Sequence, residues 1–383
     1  MPVNSAIITP INAIQAMKEY QYNLKAGELR TEAEQATRKI TFIAGGGTIG
    51  SIVKEGGIRY AGGGSIDLIS KLAVHHPEVT SDLEVQYTLD AFGGLSENMT
   101  PEIQSDFLKL AKVAISSLGA KSIVVTHGTD SLEHTAKFLY EQLQSTCIEK
   151  GVKIVMTGAN HDTSHPQTDA WDNLTLAIKT STDIMTPSGV YVAFHDQIIP
   201  GNTAVKEPFN DVSMNYRDKY SAEYANLALA QELNDQRMIG KIERHFKSPT
   251  KSDYVTTEKV NRVGLSLNPD KYKGKRVVVF QLYHSGTAIT EGDSSVAKLI
   301  AELGNRNTIC LAVTENGEPV NLMGYETGVK LKEAGLIAMP GSMTLATASA
   351  LAGAIVNGFR SRPISVKEMI DKIESAPDEI LGR

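Results

Sequence analysis

The chain has 383 residues, 41% of them hydrophobic and 21% charged, with a formal net charge of -6 at pH 7 and a pI near 5.9. That balance gives no general attraction for nucleic acid or for an anionic membrane, and leaves a small molecule as the default partner. Cys147 and Cys310 are too few for a disulfide framework and fit a reducing cytoplasm, and the length has room for two domains.

Residues 1 to 38 contain no basic n-region followed by an apolar core, so they do not read as a secretory signal. No segment approaches the roughly 20 apolar residues that span a bilayer. The polar, helix-prone run from Asn12 to Arg38 reads as an accessory helix or an arm. Beyond it, short β-branched apolar runs alternate with amphipathic stretches, the pattern of βαβ units and a mainly parallel sheet. Strands are expected at Ile40 to Ala44, Ser122 to Thr126, Val152 to Thr157, Gly189 to Phe194, Arg276 to Gln281 and Thr308 to Val313, the last burying Cys310.

Between the first two strands, Thr100 as N-cap and Pro101 at the first helical position open a helix to Leu118, with Ile103, Phe107, Leu110, Ala111 and Ala114 on one stripe. A second helix is expected over Asp130 to Leu143, with Asp130 and Glu133 in a capping pattern. From Met214 to Lys275 the apolar strands disappear and the chain turns polar and tyrosine-rich. The sequence therefore predicts an α/β fold of two domains: an arm over 1–38, a mainly parallel sheet with flanking helices over 39–240, an insertion or linker over 241–274, and a smaller α/β domain over 275–383.

Ligands of an open parallel sheet gather at the carboxyl ends of its strands. Two threonines stand there: Thr48 in Gly45-Gly46-Gly47-Thr48-Ile49-Gly50, and Thr129 in His127-Gly128-Thr129-Asp130. Attack on a carboxamide by a hydroxyl needs a nucleophile, a group to take its proton and donors for the oxyanion. Lys206, in a loop after the Gly189 to Phe194 strand, is a candidate proton acceptor once buried. An isolated threonine before a helix more often serves as a cap. Here a flexible glycine, a hydroxyl and a carboxylate share one strand end, and a second hydroxyl has the same placement.

Gly45, Gly47 and Gly50 also satisfy G-x-G-x-x-G, with Asp67 downstream, but the glycine-rich run from Lys54 to Gly64 cannot supply the helix a dinucleotide site requires. A mobile loop carrying Tyr60 over a small site suits those residues better. His161 and His165 imitate a zinc motif, yet Pro166 and the polar surroundings place them in a loop; His75-His76 before Pro77 reads as a turn at a helix end, and His195-Asp196 follows a strand without further ligands nearby. No metal is indicated.

With these motifs in place, the chain resembles the bacterial-type L-asparaginase and glutaminase-asparaginase family over roughly Ile40 to Gly358. Gly45-Gly46-Gly47-Thr48-Ile49 stands for the first signature, usually T-G-G-T-I, and His127 to Ala136 for the second. Ser96-Glu97-Asn98-Met99-Thr100 is similar to the family's substrate-holding segment. The resemblance implies a flavodoxin-like N-terminal sheet, with Thr48 as nucleophile, Tyr60 as the loop tyrosine that activates it, and Thr129, Asp130 and Lys206 as a second triad. It implies that Ser96 binds the substrate's α-carboxylate, and that Glu97 and Asp130 hold its α-ammonium. Asp169 and Asn173 are expected in a structural role.

In the second domain, Gly324-Tyr325-Glu326-Thr327-Gly328 and Gly341-Ser342-Met343-Thr344 resemble elements of the family's cytoplasmic branch. The resemblance implies that Glu326 completes a neighbouring subunit's site in a homodimer or homotetramer. The implied activity is hydrolysis of L-asparagine, with L-glutamine as a second substrate, without cofactor, membrane or nucleic acid. An amidotransferase subunit supplying ammonia to a tRNA-bound substrate and a non-catalytic amino-acid binder are the rivals. Gly45 in place of threonine, the arm, and the stretch from Met214 to Lys275 depart from the usual family core.

Overall fold

The computed structural model describes residues 38–54, 57–60, 62, 64–207, 216–359 and 362–383. The expected arm lies outside them except for Arg38, which opens the first strand. Contacts divide the described residues into two units, the first running to Lys219 and the second from Tyr220 to Arg383, with Gly57, Ile58 and Glu207 counted in the second.

The first unit contains β1 (Arg38–Gly45), β2 (Ile52–Val53), β3 (Arg59–Tyr60), α1 (Ser65–His75), α2 (Pro77–Thr80), β4 (Leu83–Asp90), α3 (Pro101–Ser116), β5 (Ser122–His127), α4 (Leu132–Lys150), β6 (Lys153–Thr157), α5 (Ala170–Thr182), β7 (Gly189–Phe194), β8 (Gln197–Pro200), β9 (Ala204–Lys206) and β10 (Tyr216–Asp218). Six of these strands form one sheet in the order β4-β1-β5-β6-β7-β8, parallel except for the β7–β8 pair. Every residue of β5 is buried, which is why its centre, Ile123 to Thr126, is an unbroken β-branched run: both faces of a parallel sheet are covered. One face packs Phe42, Ala44, Val124 and Val155 against Leu68 and Leu72 of α1 and Trp171 and Leu174 of α5. Helices α3 and α4 bury Phe107, Leu110, Leu132 and Leu139.

Counting only the parallel strands, the order is that of a doubly wound, flavodoxin-like sheet, and its switch point falls between β1 and β5. The loops that carry Thr48 and Thr129 leave those two strands.

Thr100 caps α3 as expected, its hydroxyl accepting from the Ile103 N–H at 3.3 Å. The expected capping pair of α4 is a correction. The N-cap is Ser131, without a side-chain cap bond. The Asp130 carboxylate instead accepts from Lys206 Nζ at 2.9 Å, and the Glu133 carboxylate from the Lys206 N–H. A nearby cation and an open backbone donor of β9 outcompete the helix end for these acceptors.

The second unit holds α6 (Ala222–Phe246), β11 (Val255–Lys259), β12 (Val277–Leu282), α7 (Val296–Asn305), β13 (Ile309–Thr314), α8 (Glu326–Glu333), β14 (Ile337–Ala338), α9 (Leu345–Gly358), α10 (Val366–Glu374) and α11 (Asp378–Leu381). Its sheet is parallel, in the order β11-β12-β13-β14. The boundary expected at residue 240 and the linker expected over 241–274 thus differ from what is found, since α6 and β11 belong to the fold of this unit. The polar reading of that stretch has a physical cause: of the 25 residues of α6 only Ile242 is buried. Burial pushes the Cys310 thiol up to about 12 and the Cys147 thiol to about 11, so neither is a ready nucleophile. Among the described residues no helix is long and apolar enough to cross a membrane.

Candidate active site

After β1 the chain turns through Gly46 and Gly47, at φ 64° and 79°, conformations that L side chains adopt rarely. The site depends on the missing side chains. A Cβ on Gly46 would lie 2.3 Å from the Gly94 carbonyl oxygen, and one on Gly47 only 2.1 Å from Gly128 Cα. The Gly47 N–H also donates to the Gly94 carbonyl at 3.1 Å. The loops after β1, β4 and β5 therefore meet backbone to backbone. Thr48 begins the short 3-10 turn that follows, buried, with its carbonyl held by the Ser51 hydroxyl at 2.9 Å.

Gly45, the departure from the usual signature, has a steric explanation. A Cβ there would fall 2.4 Å from Phe107 Cζ and 2.6 Å from the Thr126 carbonyl oxygen. Phe107 of α3 occupies the space a threonine would need, and its ring lies 5.1 Å from that of His127.

On the other side of the switch point, a Cβ on Gly128 would lie 2.3 Å from Ser96 Oγ, so Ser96 seats directly on the Thr129 loop. The Ser131 hydroxyl donates to the Ser96 carbonyl at 2.6 Å. Ser96 and Glu97 sit in a buried 3-10 turn, Ser96–Asn98. Lys206 Nζ lies 3.2 Å from Thr129 Oγ1 and 2.9 Å from Asp130 Oδ1, and all three residues are at most 6% exposed. A buried ion pair is costly to desolvate and persists where further hydrogen bonds satisfy it. The ammonium shared with the Thr129 hydroxyl is such a bond. Lys206 ends β9, whose antiparallel partner β10 brings Tyr216 opposite it in register. The Tyr216 hydroxyl donates to the Thr129 carbonyl.

His127 is fully buried, and burial pulls its pKa down to about 4, opposed in part by the bond of Nδ1 with the Gly128 carbonyl at 2.9 Å. It is a neutral support at ordinary pH and serves as no proton acceptor for Thr129 in any contact of this structure.

Tyr60 lies in the hairpin that follows Thr48, where β3 pairs with β2 and places it opposite Ile52. Lys54 Nζ sits 4.2 Å over its ring. The neighbouring Arg59 Nε reaches Asp162 Oδ2 at 3.3 Å. Burial pushes the Asp162 carboxyl upward, but the Ser164 hydroxyl and N–H together with Arg59 outweigh it and hold the pKa below the ordinary range. The loop bearing Asp162 is braced by Asp169, which accepts from the Asn160 and His161 N–H groups at 3.0 Å. Asn173 donates to the Gly158 carbonyl at 3.0 Å and accepts from the His195 N–H at 2.7 Å. Asp169 and Asn173 thus do structural work. His161 and His165 stack in a turn with centroids 4.2 Å apart, and no group of three ligating side chains among the described residues could hold a metal.

Of the residues expected at the site, Thr48, Ser96, Thr129 and Asp130 stand on loops in mutual contact, Lys206, expected in a loop, ends strand β9 because β10 pairs with it there, Glu97 adjoins Ser96, and Tyr60 rides the hairpin after Thr48. Glu326 opens α8 of the second unit, where its carboxylate pairs with Lys330 at 3.0 Å. Sequence reasoning missed Tyr216, Phe107 as the filler behind Gly45, and the Arg59–Asp162 pair. Only Arg59, adjacent to Tyr60, carried a signal that could have been followed.

The asparaginase N-terminal domain model matches residues 39–256. Curated relatives include a glutamyl-tRNA(Gln) amidotransferase subunit from Methanococcus vannielii, 30% identical over 194 residues that make up 50% of this chain and 42% of that protein. Its counterpart in Methanococcus maripaludis is 26% identical over 334 residues, 81% of this chain and 74% of the relative. The chain thus spans less than half of the first relative's length and about three quarters of the second's. Among solved structures, the thermostable L-asparaginase of Thermococcus kodakarensis is 21% identical, covering 90% of this chain and 98% of that one with a TM-score of 0.38. A probable cytoplasmic L-asparaginase of Campylobacter jejuni is 17% identical, covering 88% and 99%, with a TM-score of 0.39. Since the domain model takes in more than half of the 383 residues, including both threonine loops and Lys206, the chain belongs to the asparaginase family.

Proposed function

We propose that the protein is an L-asparaginase, hydrolysing L-asparagine to L-aspartate and ammonia through a threonine ester. The observation that carries this reading is the position of Lys206 Nζ, 3.2 Å from the Thr129 hydroxyl and 2.9 Å from the Asp130 carboxylate. A pure binding site has no use for a buried hydroxyl joined to an amine. In this reading the Thr48 hydroxyl, activated by Tyr60, attacks the side-chain amide carbon, and ammonia leaves. Water then cleaves the ester, with Thr129, Asp130 and Lys206 moving protons. Backbone N–H groups near Thr129 and Ala159 receive the oxyanion. Ser96 takes the α-carboxylate. Glu97 and Asp130 take the α-ammonium, with Glu326 supplied by a second copy of the chain in a cytoplasmic dimer or tetramer. Opposite charges at the two ends of a zwitterion let such a pocket select one hand of the amino acid.

A second reading is favoured by the curated relatives, which are named as amidotransferase subunits acting at glutamyl-tRNA(Gln). On that reading the ammonia passes to a tRNA-bound acceptor, and the expectation of no nucleic-acid contact falls. One experiment separates the two. Ammonia release is measured from free L-asparagine and L-glutamine by the purified chain, with Thr48→Ala as control. Turnover abolished in the variant supports the asparaginase. Silence on both free amino acids rejects it in favour of a subunit that works only with its partners. Glutamine differs from asparagine by one methylene, worth about 1 to 3 kcal/mol or about 10- to 200-fold in kcat/KM, and the same assay ranks the two substrates.

A further inference from the structure

Tyr216 comes from a stretch with no apolar alternation, yet it is fully buried and touches two parts of the Thr129–Lys206 pair at once. Its backbone stands opposite Lys206 in the β9–β10 ladder. Residues directly opposite in an antiparallel pair send their side chains to the same face. Both side chains here reach Thr129: Lys206 Nζ meets the hydroxyl, and the Tyr216 hydroxyl donates to the carbonyl. The ring is fixed edge-on against Phe194 at the end of β7, with centroids 5.1 Å apart and planes at 63°. The phenol therefore has little freedom to swing away.

We propose that Tyr216 is a positioning residue that sets the Thr129–Lys206 pair: its hydroxyl pins the Thr129 carbonyl from the same strand pair that presents the lysine. The inference rests on the threonine and lysine reading given above. The alignment of the Thr129 hydroxyl with Nζ is decided by two torsions, that of the side chain and that of the peptide carrying it. Lys206 restrains the first and Tyr216 the second. With the donor removed, a buried carbonyl loses a partner and the turn between Gly128 and Asp130 is free to rotate about its peptide.

The test uses the full chain and Tyr216→Phe, which keeps the ring, the Phe194 contact and the strand pair while deleting one hydroxyl. The expected result is a kcat on L-asparagine about tenfold lower, the loss of one buried hydrogen bond expressed in the rate, with KM within about twofold. A readout independent of turnover accompanies it, namely the rate of Lys206 acylation by acetic anhydride, followed by peptide mass spectrometry with exposed Lys109 as internal reference. Lys206 is expected to be acylated several-fold faster in Tyr216→Phe, because its hydroxyl partner is no longer held. Unchanged kcat, or unchanged Lys206 protection, overturns the proposal. If the wild-type chain turns over neither amino acid, the functional reading fails, while the acylation ratio still decides whether Tyr216 sets the pair.

Discussion

The two threonine loops are built by opposite means. The Thr129 loop is held by side chains: a buried lysine, a carboxylate, the Ser131 bond to the Ser96 carbonyl and a phenol on the Thr129 carbonyl. The Thr48 loop leans mainly on backbone contact, with Gly46 and Gly47 in left-handed conformations against the backbone of Gly94 and Gly128 and the Ser51 hydroxyl on the Thr48 carbonyl. Polar groups that must keep one protonation geometry need a fixed electrostatic setting. On the proposed reading the Thr48 hydroxyl is the group that attacks, and backbone contact alone fixes the turn that presents it beneath the hairpin bearing Tyr60.

The largest expected effect strikes the side-chain loop. Lys206→Met strips the buried Asp130 carboxylate of its ammonium, a change that typically costs about 3 to 5 kcal/mol. Urea unfolding should register that loss, and ammonia release should fall by about a thousandfold. Lys206→Met combined with Asp130→Asn is expected to regain most of the stability and none of the activity. Full stability in the single variant would mean that the ion pair holds nothing.

Next comes acid. The His127 pKa is lowered from 6.5 to about 4 by burial, so the folded protein favours the neutral ring. Its contribution is complete above the unfolded value and is lost as pH falls toward the folded one, about 3 kcal/mol across that window. Urea unfolding between pH 7 and pH 4 should show this loss, and His127→Gln should flatten it. A variant with the same acid sensitivity as the wild type would move its source elsewhere.

Much of this contrast is legible in the sequence itself. Glycine next to a hydroxyl at a strand end, twice, is a local signal, and β1, β5, β6 and β7 announce themselves as short β-branched runs buried on both faces. The edge strand β4 escaped notice because its partly polar LEVQYTLD sequence is only half-buried. The fold of α6 was hidden for the same reason, since its burial falls on one residue near its end. Tyr216 could not have been found: its role depends on the β9–β10 register and on Phe194, both set by tertiary packing. The expected Asp130–Glu133 cap misled because local capping rules ignore a distant lysine.

The glycine loop is challenged by restoring the family's usual residue. Gly45→Thr places a Cβ within 2.4 Å of Phe107 Cζ, and such overpacking costs about 1 to 3 kcal/mol. Phe107→Ala alone is expected to destabilise by about 3 to 5 kcal/mol. Together the two should lose less than the sum, a favourable coupling of more than about 1 kcal/mol in a thermodynamic cycle. Strict additivity would assign the clash to the Thr126 carbonyl oxygen, 2.6 Å from the same Cβ, rather than to Phe107.

The smallest effect concerns the hairpin. Arg59→Gln removes the bond to Asp162 and should raise KM for L-asparagine a few-fold while changing stability by about 1 kcal/mol or less. A variant with unaltered KM would show that the Arg59–Asp162 pair plays no part in seating Tyr60.

The division of labour proposed for the loops is tested most directly by acid-quenching the protein after mixing with L-asparagine and mapping the aspartyl ester by peptide mass spectrometry. The ester is expected on the peptide containing Thr48, accumulating further in Lys206→Met. An ester on Thr129, with none on Thr48, would reverse the assignment of nucleophile and proton-handling residue.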